Sequence, residues 1–228
     1  ALSSRRLRTD RYAIYAYAAG NLGVFGAMSF VYLAVSYISS GLVSVIFGFA
    51  PLISGVFAHF LLGERSLSGP RVVALVLALM GLGMVFQGAL AVDLSAGVGV
   101  GLSLLAVSLF SLSGVLVKRL SQGLSPLEHT TGSLLMSLPL FAIGFGVTHD
   151  GQWPLEFSSL SFWSVSYLAL FGSVFGFMLY FFVLQRLGAT QVALIPLITP
   201  VFALGLGNVL AGESIQMMTL LGGALILC

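Results

Sequence analysis

Apolar positions in this chain fall in long blocks. Eight such runs can be traced, at 12–36, 41–62, 70–90, 95–117, 129–148, 161–185, 190–211 and 216–228. A helix needs about 20 apolar residues to cross a hydrocarbon core of about 30 Å, so seven of these runs are long enough to span. The eighth stops at the chain end. The two-residue alternation of a membrane barrel strand is missing. Polar positions collect instead in short connectors, such as Ser39-Ser40-Gly41, Glu64 to Gly69 and Val92-Asp93-Leu94. Pro70 stands where a first helical residue belongs, because its missing N–H costs nothing there. No connector could hold a soluble domain. The pattern predicts an all-α, polytopic transmembrane helical bundle.

Charge sharpens the picture. One set of alternate connectors carries Arg5, Arg6, Arg8, Arg11, Arg65, Arg71, Lys118, Arg119 and Arg186. The other set carries Asp93, Asp150, Glu156 and Glu213 and no Lys or Arg. Lys and Arg accumulate on the cytoplasmic side, so the bias supports the helix count and a cytoplasmic N-terminus. Tyr12, Tyr15 and Tyr17 follow the arginines as an interfacial aromatic belt would. Only 7% of residues are charged and 58% are hydrophobic, against about 25% charged in a soluble domain. That excludes a soluble enzyme, a disordered chain and a nucleic-acid binder. Cys228 is the sole cysteine, so neither a disulfide nor a Cys/His metal framework is expected, and no cofactor is called for. The expected partners are a small-molecule substrate and the lipid bilayer, with a homodimer left open.

The chain also repeats itself. At a constant offset of 149, Val43 meets Val192, Ile46 meets Ile195, Pro51 meets Pro200, Gly63 meets Gly212 and Glu64 meets Glu213. Upstream, Gly23 meets Gly172 without a gap. The weight rests on a mid-run proline and a Gly-Glu at the run's end sharing one offset. Five helices separate a position from its mate, and five is odd, so mates cross the membrane in opposite directions. Such inverted-topology repeats are a transporter architecture. The expected boundaries are 1–91 for the first repeat and 92–228 for the second. The mates missing from this pattern predict a parent of ten helices, of which eight are present, lacking the first two and part of the tenth.

The run Tyr180 to Thr190, then Pro200, then Leu210-Ala-Gly-Glu213, resembles the end of an EamA repeat of the drug/metabolite transporter superfamily. Tyr32 to Ser40, Pro51 and Leu62-Gly-Glu-Arg-Ser-Leu67 resemble the same stretch of a first copy. The resemblance covers nearly the whole chain. It implies ten helices, cytoplasmic termini, and export or exchange of small metabolites across a bacterial inner membrane. A sugar-nucleotide or phosphorylated-metabolite exchanger of the same superfamily is the alternative, and a non-transport assembly subunit the second.

Candidate chemistry is sparse. No run carries Asp, Glu, Lys or Arg at its centre. His59 lies near a run's end, while His129 and His149 sit at run ends and read as interfacial. With no visible titrating group in the pathway, the expectation is uniport, or coupling through a group that these runs do not supply. Pro51, Pro196 and Pro200 each remove a helical bond and free a carbonyl four residues back, such as that of Phe47. Unpaired carbonyls at membrane depth need protein, water or a ligand. Asn21, Phe25, Met28 and Tyr32 recur at helical spacing on one face; Ser173, Phe177 and Tyr180 do so in the mate, with Ser108 and Ser111 in the run between. Aromatic faces with a few hydroxyls and an amide suit a zwitterionic or aromatic metabolite. The candidate substrate-binding set is therefore Asn21, Phe25, Tyr32, Phe47, Pro51, Ser111, Phe177, Tyr180, Pro196, Thr199 and Pro200. Motifs for a membrane hydrolase or metalloprotease are missing, so no catalytic residue is expected.

Overall fold

The computed structural model describes residues 7–38, 40–64, 96–120, 123–148 and 158–198, together with isolated positions between 69 and 84 and residue 221. Every regular element among them is helical. Helix α1 (Arg11–Asn21) passes through a π-helical stretch (Leu22–Ala27) into α2 (Met28–Ala34). Then come α3 (Ser40–Phe47), α4 (Ala50–Leu62), α5 (Ala96–Leu120) and α6 (Pro126–Thr148). Helix α7 (Ser159–Tyr167) runs through a second π-helical stretch (Leu168–Phe175) into α8 (Gly176–Arg186), and α9 (Ala189–Val192) follows.

Five stretches of these residues are long and apolar enough to cross a membrane: Arg11–Ala34, Leu42–Leu62, Gly97–Leu120, Pro126–Val147 and Ser159–Arg186. They coincide with five of the runs expected from hydropathy. Most of the 70–90 run, the 190–211 run beyond residue 198 and nearly all of the 216–228 run lie outside the described residues.

Helix α5 is the hub, packed against α1, α2, α3, α4 and the first π stretch. Hydroxyls clip it in place. Ser113 Oγ donates to the Ala19 carbonyl at 2.6 Å, and Ser111 Oγ donates to the Ala50 carbonyl at 3.3 Å. Interhelical bonds of this kind are worth about 0.6 kcal/mol each in a membrane. Ser108, expected on the same face, instead returns its hydroxyl to the Leu104 carbonyl of its own helix. Two apolar clusters fill the gaps. One joins Ala34, Ile38, Val43, Ile46 and Ala50 to Val107, and the other joins Ala19 and Ala58 to Val115, Phe181 and Leu184.

Among the described residues, charged side chains gather at one end of the bundle. Arg8 pairs with Asp10 at 3.0 Å and donates to the Gly123 carbonyl at 3.2 Å. Lys118 Nζ donates to the Leu187 carbonyl at 2.7 Å, capping α8 where the helix dipole favours a cation. Gln185 Nε2 donates to the Leu124 carbonyl at 3.1 Å. The hydrogen bond from Arg8 holds the exposed Asp10 carboxyl below its ordinary value. A lowered carboxyl contributes above its unfolded value and loses that contribution as pH falls through the folded one. Helix α4 ends at the same side on Gly63, whose φ of 69° is left-handed. Gly63→Ala is expected to cost about 1 kcal/mol, because a Cβ is strained there, and thermal unfolding in detergent would measure it.

Two expectations change in the structure. The 41–62 run was expected to carry Pro51 inside one helix, kinking it and freeing the Phe47 carbonyl. The backbone breaks first, at a turn over Gly48 and Phe49, and Pro51 stands in the opening turn of α4. A proline there forfeits no helical bond. Pro196 follows a turn at Ala193 and Leu194 in the same way, so both prolines restart a helix two residues after a turn. The second change concerns the face shared by Asn21, Phe25 and Tyr32. A π turn takes more residues than an α turn, so register is lost between residues 22 and 27. Asn21 faces α6, whereas Tyr32 emerges 68% exposed.

Candidate functional site

The candidate site is built where α5 meets α3, α4 and α8. Phe47 closes α3, and its ring lies 6.0 Å from that of Phe110 on α5. Phe110 in turn lies 5.6 Å from Tyr180 on α8. Tyr180 meets Phe181 edge-on at 5.4 Å, and Phe181 stacks with Phe177 at 6.1 Å. Centroid separations in this range are those of favourable aromatic pairs, each worth about 0.5–1.5 kcal/mol beyond burial. Next to Phe110, the buried Ser111 reaches the Ala50 carbonyl, one residue before Pro51. Gly114, one helical turn further along α5, leaves room for the Tyr180 hydroxyl: a Cβ there would stand 2.9 Å from it. Phe47, Pro51, Ser111, Phe177 and Tyr180 are thus drawn into one aromatic row with a hydroxyl at the helix break.

Asn21 and Phe25 belong to a second group. Ser137 Oγ donates to Asn21 Oδ1 at 2.6 Å, and Phe25 meets Phe141 edge-on at 4.9 Å, both across the α1–α6 side. Tyr32 joins neither group. Pro196 is half-buried beyond α9, and Thr199 and Pro200 lie outside the described residues.

Four residues of this region were not among the candidates. Phe110 gives the row its continuity but is one of 18 phenylalanines, with nothing in its spacing to single it out. His129, Ser133 and Ser137 are all buried and recur every four residues along α6. That spacing puts them on one helical face and was legible in the sequence. His129 was expected at an interface; the structure buries it completely, under Tyr17 of α1 and Phe181 of α8.

The aromatic row carries no formal charge. Among the described residues, Asp, Glu, Lys and Arg lie at helix ends, and no group of three or more His, Cys, Asp or Glu is placed to hold a metal ion. The row presents aromatic faces, with the hydroxyls of Ser111 and Tyr180 beside it. Phosphate recognition normally uses Arg or Lys.

The model of the EamA-like transporter family matches residues 2–87 and again residues 97–228. The chain belongs to the EamA-like transporter family. It is a multi-pass membrane transporter, similar to an uncharacterized transporter of Archaeoglobus fulgidus (26% identical over 210 residues, covering 90% of this chain and 73% of that protein). It is equally similar to the uncharacterized transporter YoaV of Bacillus subtilis, at 26% over 231 residues, covering 100% of this chain and 76% of the relative. A solved crystal structure superposes with a TM-score of 0.79 at 20% identity, covering 92% of this chain and 72% of its own. That likeness concerns the fold of this EamA-like transporter.

Proposed function

We propose that this EamA-like transporter exports or exchanges small metabolites, amino-acid-like or drug-like, across a cell membrane by alternating access. It performs no covalent chemistry on them. The aromatic row from Phe47 through Phe110 and Tyr180 to Phe181 carries the proposal. It joins α3 of the first proposed repeat (1–91) to α5 and α8 of the second (92–228). A solute held on it would touch both halves, which is what a rocking mechanism requires.

Paired irregularities support the same reading. The π stretch Leu22–Ala27, shifted by the sequence offset of 149, falls on residues 171–176, and the second π stretch occupies Leu168–Phe175. Such turns are rare and frequent at functional sites. One in each proposed mate points to inverted repeats and gives each half a compliant segment near mid-membrane. The charge-free row favours zwitterionic or neutral solutes over sugar nucleotides. The polar end holding Arg8, Lys118 and Arg186 is taken as cytoplasmic under the positive-inside rule.

The test is flux in proteoliposomes. The full-length protein would be reconstituted with labelled amino acids, small aromatic metabolites and a sugar nucleotide inside. Saturable efflux of the neutral or zwitterionic class is the expected result. Efflux confined to the sugar nucleotide would replace the substrate assignment, and no efflux of any kind from folded protein would sink the proposal.

A further inference from the structure

His129 stands out among the buried polar groups. It lies in the first turn of α6, is 0% exposed, and neither Nδ1 nor Nε2 has a hydrogen-bond partner. A neutral imidazole presents one donor and one acceptor, and each, left unmet in a water-excluded site, costs about as much as a lost hydrogen bond. Packing alone would be served by leucine or phenylalanine. Buried polar groups are overwhelmingly paired, and an ionisable side chain within a membrane-spanning segment calls for a functional account.

The surroundings tell what that account must explain. The Tyr17 ring of α1 lies 6.1 Å away, but its hydroxyl is committed to the Arg8 carbonyl at 3.0 Å. Phe181 of α8 presses edge-on at 4.2 Å. Elsewhere on α8, Tyr180 points its hydroxyl toward Gly114, Gln185 is bound to the Leu124 carbonyl, and Arg186 lies over the Phe182 ring at 3.6 Å. Glu128, the neighbour on α6, accepts from the Ser125 amide at 2.8 Å. Arg8 and Asp10 pair with each other. The first π stretch offers no titratable side chain. In this closed arrangement no carboxylate is hydrogen-bonded to either ring nitrogen, so an imidazolium would be held without a direct partner. Gly20 completes the picture. The point where its Cβ would stand is 3.2 Å from His129 Nε2 and also borders the Ser133 hydroxyl. Ser133 and Ser137 then continue the polar face along α6 to Asn21.

We propose that His129 is the proton-carrying group that couples transport to a proton gradient. This rests on the transport reading above. In a conformation where the α1–α6–α8 contact opens, a ring nitrogen accepts a proton from water on one side of the membrane, forming an N–H bond. The closed contact holds only the neutral ring, so closure requires the N–H bond to break and the proton to pass to water; coupling follows when the contact opens to one side for uptake and to the other for release. Proton release and the conformational step are then one event, and solute movement shares it.

The test uses the full-length protein in proteoliposomes with the labelled amino-acid mixture, and compares wild type, His129→Gln, His129→Phe and the exposed-site variant His59→Gln. A gradient of about one pH unit is a tenfold ratio of proton activity, so wild type and His59→Gln should accelerate or concentrate flux by up to about tenfold. Both His129 variants should lose that response, their remaining flux being the same with and without the gradient. Wild-type exchange indifferent to pH, or a response preserved in His129→Gln, would overturn the proposal. Absent wild-type flux would instead sink the transport reading. A second measurement then decides for His129: nitrogen NMR of histidine-labelled wild type in lipid nanodiscs. A 129 imidazolium signal should appear reversibly as the pH is lowered, in the fraction of protein whose α1–α6–α8 contact is open. A ring fixed in one state throughout would overturn it.

Discussion

Alanine in place of Tyr180 is expected to lower solute flux at least about tenfold while leaving the protein folded. The ring bridges Phe110 on α5 and Phe181 on α8, at 5.6 and 5.4 Å. Two aromatic contacts of about 0.5–1.5 kcal/mol each vanish together with the face offered to a solute. Loss of about 1.4 kcal/mol from the transporting state alone is a factor of ten in rate. Phe110→Ala should do the same, because it removes the link between Phe47 and Tyr180. Tyr180→Phe separates the contributions: it keeps the ring and deletes the hydroxyl beside Gly114, so apparent KM should rise with little change in maximal rate. Phe60→Ala, at an outward position 79% exposed, should leave flux within about twofold. Equal flux in Tyr180→Ala and wild type, at matched expression, would remove the row from the pathway.

Gly132→Ala is expected to destabilise the protein by about 1–3 kcal/mol, the range for overpacking a tight interface. A Cβ at Gly132 would fall within the Tyr17 ring. That ring cannot step aside: it is 5% exposed, tied by its hydroxyl to the Arg8 carbonyl, and set beside His129. Gly20 meets Ser133 just as closely from the other helix. Small residues let backbones approach where the bilayer gives no hydrophobic push. The cause is separable by a double-mutant cycle. In a Tyr17→Ala background the Gly132→Ala cost should fall below about 0.5 kcal/mol, because the colliding ring is gone. Thermal unfolding in detergent reads both numbers. An undiminished cost in that background would place the strain elsewhere.

How much of this was legible beforehand depends on range along the chain. Helical spans follow from local hydropathy, and the described ones begin and end within a few residues of the apolar runs. The break before Pro51 was invisible, because Gly48 and Phe49 continue the apolar run without a polar residue. The displacement of Tyr32 came from a π stretch, and nothing in Leu22 to Ala27 departs from α-type patterning. Phe47, Ser111, Phe177 and Tyr180 were accessible through residue type and face. Phe110 became identifiable only when α3 and α8 were brought to either side of it. His129 shows the limit most plainly. Its position at a run's end suggested an interface, but what buries it are Tyr17 and Phe181, distant in sequence. The spacing of His129, Ser133 and Ser137 carried the hint of a polar face turned inward.

The central claim is that two halves rock about the aromatic row. Spin-label distances in full-length protein in nanodiscs test it directly, with every native cysteine, Cys228 included, first replaced by serine. One pair would sit at exposed Phe60 and Arg186, near the Lys/Arg-bearing end, and the other at exposed Tyr37 and Val147, at the opposite end. Alternating access predicts two distance populations for each pair, shifting in opposite directions when a transported solute or a pH gradient is applied. A single unchanging distance at both ends, in protein that still moves solute, would contradict it.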